Sequence, residues 1–515
     1  MTSAGPADLT GPTESESVSR VPAVVPTDDH PVERMRRWLA PLVCLLATSL
    51  GLCCVLSTAS VLRSVTALSL LDGRWVGWVA VSAMLAVAAA AATVITLERV
   101  GSGPALALGA AAAVVGLLLG SGVNGQGELV LALAACGLAV GGLLAGGVGM
   151  TATLPPTWAF AVFVAWTVPV VAAWAPLVRA LPTRPSSGLS SGGLRGEALA
   201  DLVVPVPVEV IAAAALVIVA WSVLTMLFEP VHKRAAPPQA LQYAWTVLLA
   251  VAAMASLVMM VLGFDPQLPR IWLRPAIVVA TVIIATGWVL LVVVLPTSAL
   301  RLAHVGVTVV AAMVPATATF AVLFVDSEGV RLSWPVVALL AVVAALGALV
   351  AGTRGASLVV ASGVTIMTLS AMGVWVMADE QWAMFAAVAP LSAAAGAVMV
   401  AAFRLVGSHP SAMLMLVLTA ISAFVVGQIV AVPLSWALIG DVPTATDTVF
   451  AAGRLQAGLT VAVASVAAAG SWVLHRRLVT ATGAHQQFAR STSSQHRAAV
   501  DLQDLASGEA RVRRG

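Results

Sequence analysis

Long apolar runs make up most of the chain, and short segments between them hold most of its polar and charged residues. Each run is long enough to cross a hydrocarbon layer of about 30 Å as a helix. In a membrane interior the backbone has no water to bond, so a run of this length satisfies its own N–H and C=O groups as a helix. The pattern predicts an all-α integral membrane protein with about fourteen transmembrane helices, over residues 38–60, 76–96, 104–121, 128–150, 157–179, 208–228, 243–263, 274–295, 299–324, 334–352, 356–377, 381–403, 411–437 and 451–474.

Polar segments precede and follow the spans. Residues 1–37 are mostly rich in Ser, Thr, Pro and Glu, which predicts a disordered tail and not a signal peptide. Residues 475–515 contain no span and predict a second tail. Between the tails we expect a six-helix bundle over 38–228, two additional spans with a linker over 229–298, and a second six-helix bundle over 299–474.

Loop charges predict the orientation. An even number of spans places both tails on one side, and basic residues are enriched there, among them Arg34, Arg36, Arg37, Arg99, Lys233, Arg301, Arg354, Arg404, Arg476 and Arg477. Loops on the other side are richer in Asp and Glu, although they also carry arginines. Because cytoplasmic loops hold an excess of Lys and Arg, both tails are predicted to be cytoplasmic and the chain a multi-pass protein of the plasma membrane.

Composition agrees with this class and excludes others. Hydrophobic residues make up 60% and charged residues 10% of the chain, against about 45–50% and 25% in soluble domains. A net charge of +3 is too small to indicate nucleic-acid binding. We find no phosphate-binding loop, nucleophile motif or metal-ligand spacing. The sequence therefore predicts no catalytic residue, no metal and no cofactor, and a protein that is not an enzyme.

Degenerate motifs in the spans resemble the major facilitator superfamily, in particular its fourteen-span drug:proton antiporter group. The loop after the second span reads Leu97-Glu98-Arg99-Val100-Gly101, where that group carries a Gly-x-Leu-Ala-Asp-Arg-x-Gly-Arg pattern. A glycine-rich stretch, 137–149, occupies the fourth span, where small residues allow close helix packing. The resemblance covers 38–474 and implies two helix bundles that transport by alternating access.

Two further motifs fall in the fifth and last spans. Pro169 and Pro176 stand where the antiporters have a Gly-Pro pair; proline bends a span, which suits a moving helix or a merely bent one. The last span contains Arg454, in Gly453-Arg454-Leu455-Gln456-Ala457-Gly458, similar to the group's Arg-Gln-x-Gly stretch. We assign Arg454 a structural or gating role.

The first span departs from the antiporter pattern. That group places an Asp near its middle, but here no carboxylate occurs between Glu33 and Asp72. Proton-coupled transport usually keeps an ionisable group in the membrane. Glu209 and Glu229, at the two ends of the sixth span, are the nearest candidates, and both also suit ordinary charges at helix ends.

Other polar and aromatic residues inside spans are candidates for packing or for a substrate cavity. Most of the Ser and Thr hydroxyls there can bond to carbonyls of their own helix. Gln428 cannot be satisfied so locally, which favours an interhelical bond or a cavity contact. Trp166 suits core packing or a cavity wall.

The sequence leaves three functions open. The first is an efflux-type membrane transporter of a lipophilic small molecule, with the lipid bilayer and that substrate as partners. The second is a scaffold without transport activity, or an accessory subunit in cell-envelope assembly, with a membrane or cell-envelope protein as partner. A minor alternative is a membrane glycosyltransferase using Asp72 in the first outer loop. No nucleic-acid partner is expected.

Overall fold

The computed structural model describes part of the chain, namely residues 38–51, 53–54, 85–93, 95–96, 101–121, 126–151, 154, 158–162, 164, 208–228, separate positions from 275 to 293, 295–327, 334–376, 381–407, 412–423 and 457–481. These residues form the helices α1 (Trp38–Gly51), α2 (85–93), α3 (Ser102–Ser121), α4 (Gln126–Thr151), α5 (158–162), α6 (Val208–Phe228), α7 (Ser298–Ser327), α8 (Trp334–Thr353), α9 (Ala356–Val376), α10 (Gln381–Val406), α11 (Ala412–Ala423) and α12 (Ala457–Ala481). Of the terminal unit Met1–Leu39, only Trp38 and Leu39 are described.

Five of the described helices contain segments long and apolar enough to cross a membrane: Ser102–Leu119, Val130–Thr151, Ala356–Val376, Ala386–Val406 and Ala457–Ala481. Other described helices also fall at predicted spans. Helix α6, for example, occupies the predicted residues 208–228. The span expected at 243–263 lies outside the described residues, so the number fourteen stays a prediction. Helix α12 continues to Ala481, beyond the predicted end of the last span at residue 474, and the limit of the span itself stays a prediction.

Helix ends follow the usual capping chemistry. The Thr297 hydroxyl accepts a hydrogen bond from the Leu300 N–H at 3.2 Å, which caps the beginning of α7. Gly407 follows α10 with a φ of 71°, and its N–H donates to the Phe403 carbonyl at 3.1 Å. This left-handed glycine ends α10 as a glycine commonly ends a helix.

Helix α4 is the centre of one group of helices. A Cβ built at Gly141 would lie 2.5 Å from the Ala90 nitrogen of α2, so only glycine permits this approach. Other glycines of the 137–149 stretch face other helices: Gly142 faces Ala105 of α3, and Gly147 faces Thr48 of α1. Helix α6 packs on α3. We call α1–α4 and α6 the first set. The close helix packing predicted for the glycine-rich stretch is confirmed.

Helix α10 is the centre of a second group. A Cβ at Gly396 would overlap the Ala344 carbonyl oxygen of α8, and a Cβ at Gly347 of α8 would overlap the Ala393 carbonyl oxygen in turn. A Cβ at Gly306 of α7 would lie 3.0 Å from Val398 Cγ1. Helix α9 packs on α10, and α12 contacts α9. We call α7–α10 and α12 the second set.

The two sets repeat one packing scheme. Gly396 stands 255 residues after Gly141, and both occupy the crossing with the parallel neighbour, α8 or α2. Gly363, which meets Val398, stands 254 residues after Gly109, which meets Leu143. The helices α3 and α9 also begin 254 residues apart. The first and second sets are therefore structural repeats of each other.

Most of the described hydroxyls inside the helices bond to their own backbones, as predicted. Thr286, Ser362, Thr365 and Thr368 each donate to the carbonyl four residues earlier, at 2.7–2.9 Å. These bonds satisfy the side chains without another helix.

Candidate functional site

The described arginines gather at one end of the second set. We call this the tail-side end: it contains the beginnings of α7 and α9 and the ends of α8, α10 and α12. Arg301, Arg354, Arg404, Arg476 and Arg477 all lie there. Asp326 lies at the opposite end of α7, and Glu128 lies in the first turn of α4, whose end leads towards α5. Within the described residues, no Asp or Glu lies at the tail-side end of the second set.

The turn between α8 and α9 is the best-defined part of this end. Only Arg354 and Gly355 separate the two helices. The Gly355 carbonyl accepts from the Val359 N–H at 3.1 Å and so begins α9. The Thr353 hydroxyl donates to the Val350 carbonyl at 2.9 Å. A connection this short holds the end of α8 and the beginning of α9 together.

Arg404, in the last turn of α10, binds the end of α8. Its Nη1 donates to the carbonyl oxygen of Ala351 and, at 3.2 Å, to that of Arg354. The last carbonyls of a helix have no partner within the helix, and they form the negative end of its dipole. A guanidinium there satisfies both needs, so Arg404 couples α8 to α10.

Gly352, one residue beyond Ala351, touches a helix that lies outside the second set. A Cβ at Gly352 would lie 2.7 Å from Cζ of Phe160, so the phenylalanine ring of α5 rests on the Gly352 backbone. In the chain, α5 connects α4 and α6 of the first set. We call Phe160, Gly352, Arg354 and Arg404 the tail-side junction. It joins the contact of α5 with the second set to the hydrogen bonds of Arg404 within the second set.

The predicted motif loop, Glu98, Arg99 and Gly101, is the counterpart of the α8–α9 turn in the first repeat. Gly101 has a φ of 80° and directly precedes α3, which accounts for a glycine there. Glu98 and Arg99 lie outside the described residues. Sequence reasoning missed the turn at Arg354-Gly355, although an Arg and a Gly precede the span at 356–377 much as they precede the span at 104–121.

Most of the other predicted site residues are not described. Arg454, Gln428, Glu229, Trp166, Pro169 and Pro176 all lie outside the described residues. For Glu209 the backbone is described, as the second residue of α6, but not the side chain. Their proposed roles stay predictions.

Helix α10 carries polar features that sequence reasoning also missed. Pro390 lies inside this helix and is exposed; because proline has no N–H, the helix loses one hydrogen bond there. Ser392, two residues later, is buried, and its Oγ has no hydrogen-bond partner within the described part. A water or ligand beside α10 would find polar groups available to it.

His304 is a fully buried ionisable side chain in α7. Its Nδ1 lies 2.8 Å from the Leu300 carbonyl oxygen. Since a carbonyl only accepts, Nδ1 must carry the proton in this bond. One turn earlier, Arg301 Nε donates to the Leu295 carbonyl at 2.7 Å, so each of these side chains is tied to backbone.

Cysteines and metal-ligand groups add no site to the described part. Cys44, Cys53, Cys54 and Cys136 form no disulfide bond, and all but Cys53 are buried. Buried cysteines such as Cys44 pack as small apolar side chains. No group of three His, Cys, Asp or Glu residues suited to a metal ion occurs among the described residues.

Comparisons with known proteins match the chain by structure alone. No family model and no curated protein matches the sequence. An auto-inhibited POT family peptide transporter matches with a TM-score of 0.51 and 15% identity, covering 85% of this chain and 97% of that one. The human organic anion transporter MFSD10 matches with a TM-score of 0.51 and 13% identity, covering 84% and 99%.

Both matched proteins are major facilitator superfamily transporters, and neither is an enzyme. At these identities the likeness concerns the fold, and it singles out no subfamily such as the drug:proton antiporters. The repeated packing of α1–α4 and α7–α10 agrees with it, because major facilitator halves are themselves repeats. The chain is an all-helical, multi-pass membrane protein with a major-facilitator-like fold.

Proposed function

We propose that this protein is a secondary transporter that exports a lipophilic small molecule by alternating access. The observation that supports it most directly is the tail-side junction, where Phe160 of α5, the helix between α4 and α6 in the chain, meets Gly352 of the second set. Alternating access needs two bodies that rock about a central site, with contacts at each end that form and break in turn. The proposal assigns the Phe160–Gly352 contact to the closed tail-side state.

The junction has the chemistry expected of a reversible closure. A ring lying on a glycine backbone makes van der Waals contacts and no hydrogen bond or ion pair, so little free energy is lost when it separates. The polar bonds of Arg404 lie within the second repeat instead, where they keep α8 and α10 together during the movement. Helices that move as one body need such links among themselves. The contact between the two moving bodies must stay weak, so that it can break.

The lining of the described helices suits an apolar cargo. No described span carries an Asp or Glu in its middle, and the buried hydroxyls inside the helices mostly bond to their own backbone. An anionic or strongly cationic compound would lack a charged partner in such surroundings. We extend the proposal to Trp166 and Gln428 as cavity residues, to Pro169 and Pro176 as bends of the fifth span, and to Arg454 as a gating residue.

Proton coupling in this proposal falls to Glu209, Glu229 or His304. The two glutamates are the predicted candidates at the ends of the sixth span. His304 is a described histidine that is buried inside a span, beside the apolar contact of Gly306 with Val360 and Val398. A buried group that gains and loses a proton can bias two conformations differently.

Orientation is part of the same proposal. Five described arginines lie at the tail-side end of the second set, and cytoplasmic ends of membrane helices are enriched in arginine. We therefore place both tails in the cytoplasm and the protein in the plasma membrane, with bundle limits at 38–228 and 299–474 and two additional spans at 229–298.

The second candidate is a major-facilitator-like scaffold without transport activity, acting with a membrane or cell-envelope protein partner. It is favoured by the absence of a carboxylate in the middle of any described span. An enzymatic role, including the glycosyltransferase alternative with Asp72, is not proposed, because the matched proteins are transporters.

Mass spectrometry of the protein extracted gently from its native membrane, without overexpression, separates the two candidates. A transporter should retain a lipophilic compound, which is then tested for flux in proteoliposomes. Phe160→Ala should change that flux, whereas Gly470→Ala, whose new methyl group would have no atom within 4 Å, should not. A stoichiometric protein partner with no retained compound and no flux would favour the scaffold.

A further inference from the structure

We propose that the seam between α9 and α12 binds an anionic phospholipid, whose headgroup lies on Arg476, Arg477 and Arg354 at the tail-side end. This lipid site is independent of transport, because it lies on the outer surface of the second set. It rests on the register of the two helices, on the charges that this register brings together, and on the apolar surface beside them.

The helices α9 and α12 run antiparallel in a register that three contacts define. Near one end, a Cβ at Gly458 would lie 3.5 Å from the Trp375 ring. Further along, Trp472 Nε1 donates to Thr365 Oγ1 at 3.0 Å. Near the tail-side end, His475 Nδ1 lies 3.1 Å from Ser357 Oγ, and the His475 ring packs edge-on against Trp472 at 5.6 Å.

This register brings three exposed arginines to one level. Arg476 and Arg477 follow His475 directly, so they lie level with the first residues of α9. Arg354 precedes α9 by two residues. All three are exposed, and no described Asp or Glu lies at this end. Trp472 and Arg476 are four residues apart and share one face of α12, next to α9.

The surface beside this charge is apolar. On α9, Leu358 is 43% and Leu369 is 63% exposed, and on α12, Val466 is 75% and Val473 is 54% exposed. A tryptophan between an apolar surface and a basic group is typical of the level of lipid headgroups. An occupant with an anionic head and apolar chains fits both parts of the surface, whereas a free phosphate fits only one.

The test uses the purified full-length protein and native mass spectrometry, with phosphatidylglycerol and phosphatidylcholine supplied in equal amounts. Phosphatidylcholine is the matched probe, because it has the same phosphate and chains but no net charge. We expect wild-type protein to retain phosphatidylglycerol preferentially. Since each arginine near a membrane surface changes anionic-lipid affinity about five-fold, Arg476→Gln with Arg477→Gln should weaken this preference about 25-fold.

The control is Arg513→Gln with Arg514→Gln, which removes the same charge from the C-terminal tail and should leave the preference unchanged. Equal retention of the two lipids by wild-type protein would overturn the proposal. This outcome needs no substitution, so the test does not depend on whether a variant folds. An unchanged preference in the Arg476/Arg477 variant would overturn it too. Displacement of phosphatidylglycerol by inorganic phosphate would instead make the site one for a free anion and refute the lipid assignment.

Discussion

The substitution Gly396→Ala tests the packing centre of the second repeat. A methyl group at this position would overlap the Ala344 carbonyl oxygen of α8, and its next neighbour is the Ala344 carbonyl carbon at 2.9 Å. Because both are backbone atoms, no side-chain rotation can relieve the overlap. The helices α8 and α10 must separate instead, which also loosens the reciprocal contact of Gly347 with Ala393.

Two opposing terms set the magnitude. Replacing glycine by alanine inside a helix favours folding by about 0.5–1 kcal/mol. Overpacking a close contact costs about 1–3 kcal/mol, and the upper part of that range applies where backbone meets backbone. The net effect is a destabilisation of about 2 kcal/mol. At about 2–4 °C per kcal/mol for a unit of 150–250 residues, the apparent Tm should fall by about 4–8 °C.

The assay is fluorescence-detected size-exclusion chromatography of detergent-extracted protein after heating. Gly470→Ala is the matched control, since its methyl group would meet nothing within 4 Å and its Tm should equal or slightly exceed that of the wild type. Gly141→Ala should behave like Gly396→Ala, because it stands at the equivalent crossing of the first repeat. If Gly396→Ala and Gly470→Ala have the same Tm, the helices do not cross at Gly396 and the reasoning is wrong.

Four further predictions address individual side chains. Arg404→Gln should lower the apparent Tm by an amount equivalent to about 1–2 kcal/mol, through loss of its bonds to Ala351 and Arg354, while Arg513→Gln should not. Trp472→Phe should cost about 1 kcal/mol through loss of the bond to Thr365, and adding Thr365→Val should cost little more; full additivity would contradict that bond. If protons drive transport, His304→Gln, Glu209→Gln or Glu229→Gln should reduce pH-driven flux, and unchanged flux in all three would exclude them as coupling groups. Arg454→Ala should change transport without reducing folded yield, and a collapse in yield would make Arg454 structural.

The helices themselves could be predicted from sequence, because a bilayer leaves an apolar run few alternatives to a helix. The predicted spans 104–121, 128–150 and 356–377 lie within two residues of α3, α4 and α9 at both ends. Helix α12 continues past residue 474, where the hydropathy of the sequence falls. His475 is held there by Ser357, and Arg476 and Arg477 are compatible with helix.

The contacts between helices could not be predicted in the same way. Helices α3 and α4 are apolar on all sides, so their sequences do not indicate which face meets which neighbour. The glycines of 137–149 indicated close packing, but not that Gly141 meets α2 while Gly147 meets α1. The contact of Phe160 with Gly352 joins residues almost 200 positions apart, and neither residue belongs to a recognisable motif.

The most direct test of the central claim measures the distance between the tail-side ends of the two repeats in a membrane. Spin labels at Thr96→Cys and Gly355→Cys, both exposed positions, would report it by double electron–electron resonance once the four native cysteines are replaced by alanine. Alternating access predicts two distance populations, and Phe160→Ala should shift them towards the longer distance. A single distance that Phe160→Ala leaves unchanged would contradict the account and favour a rigid scaffold.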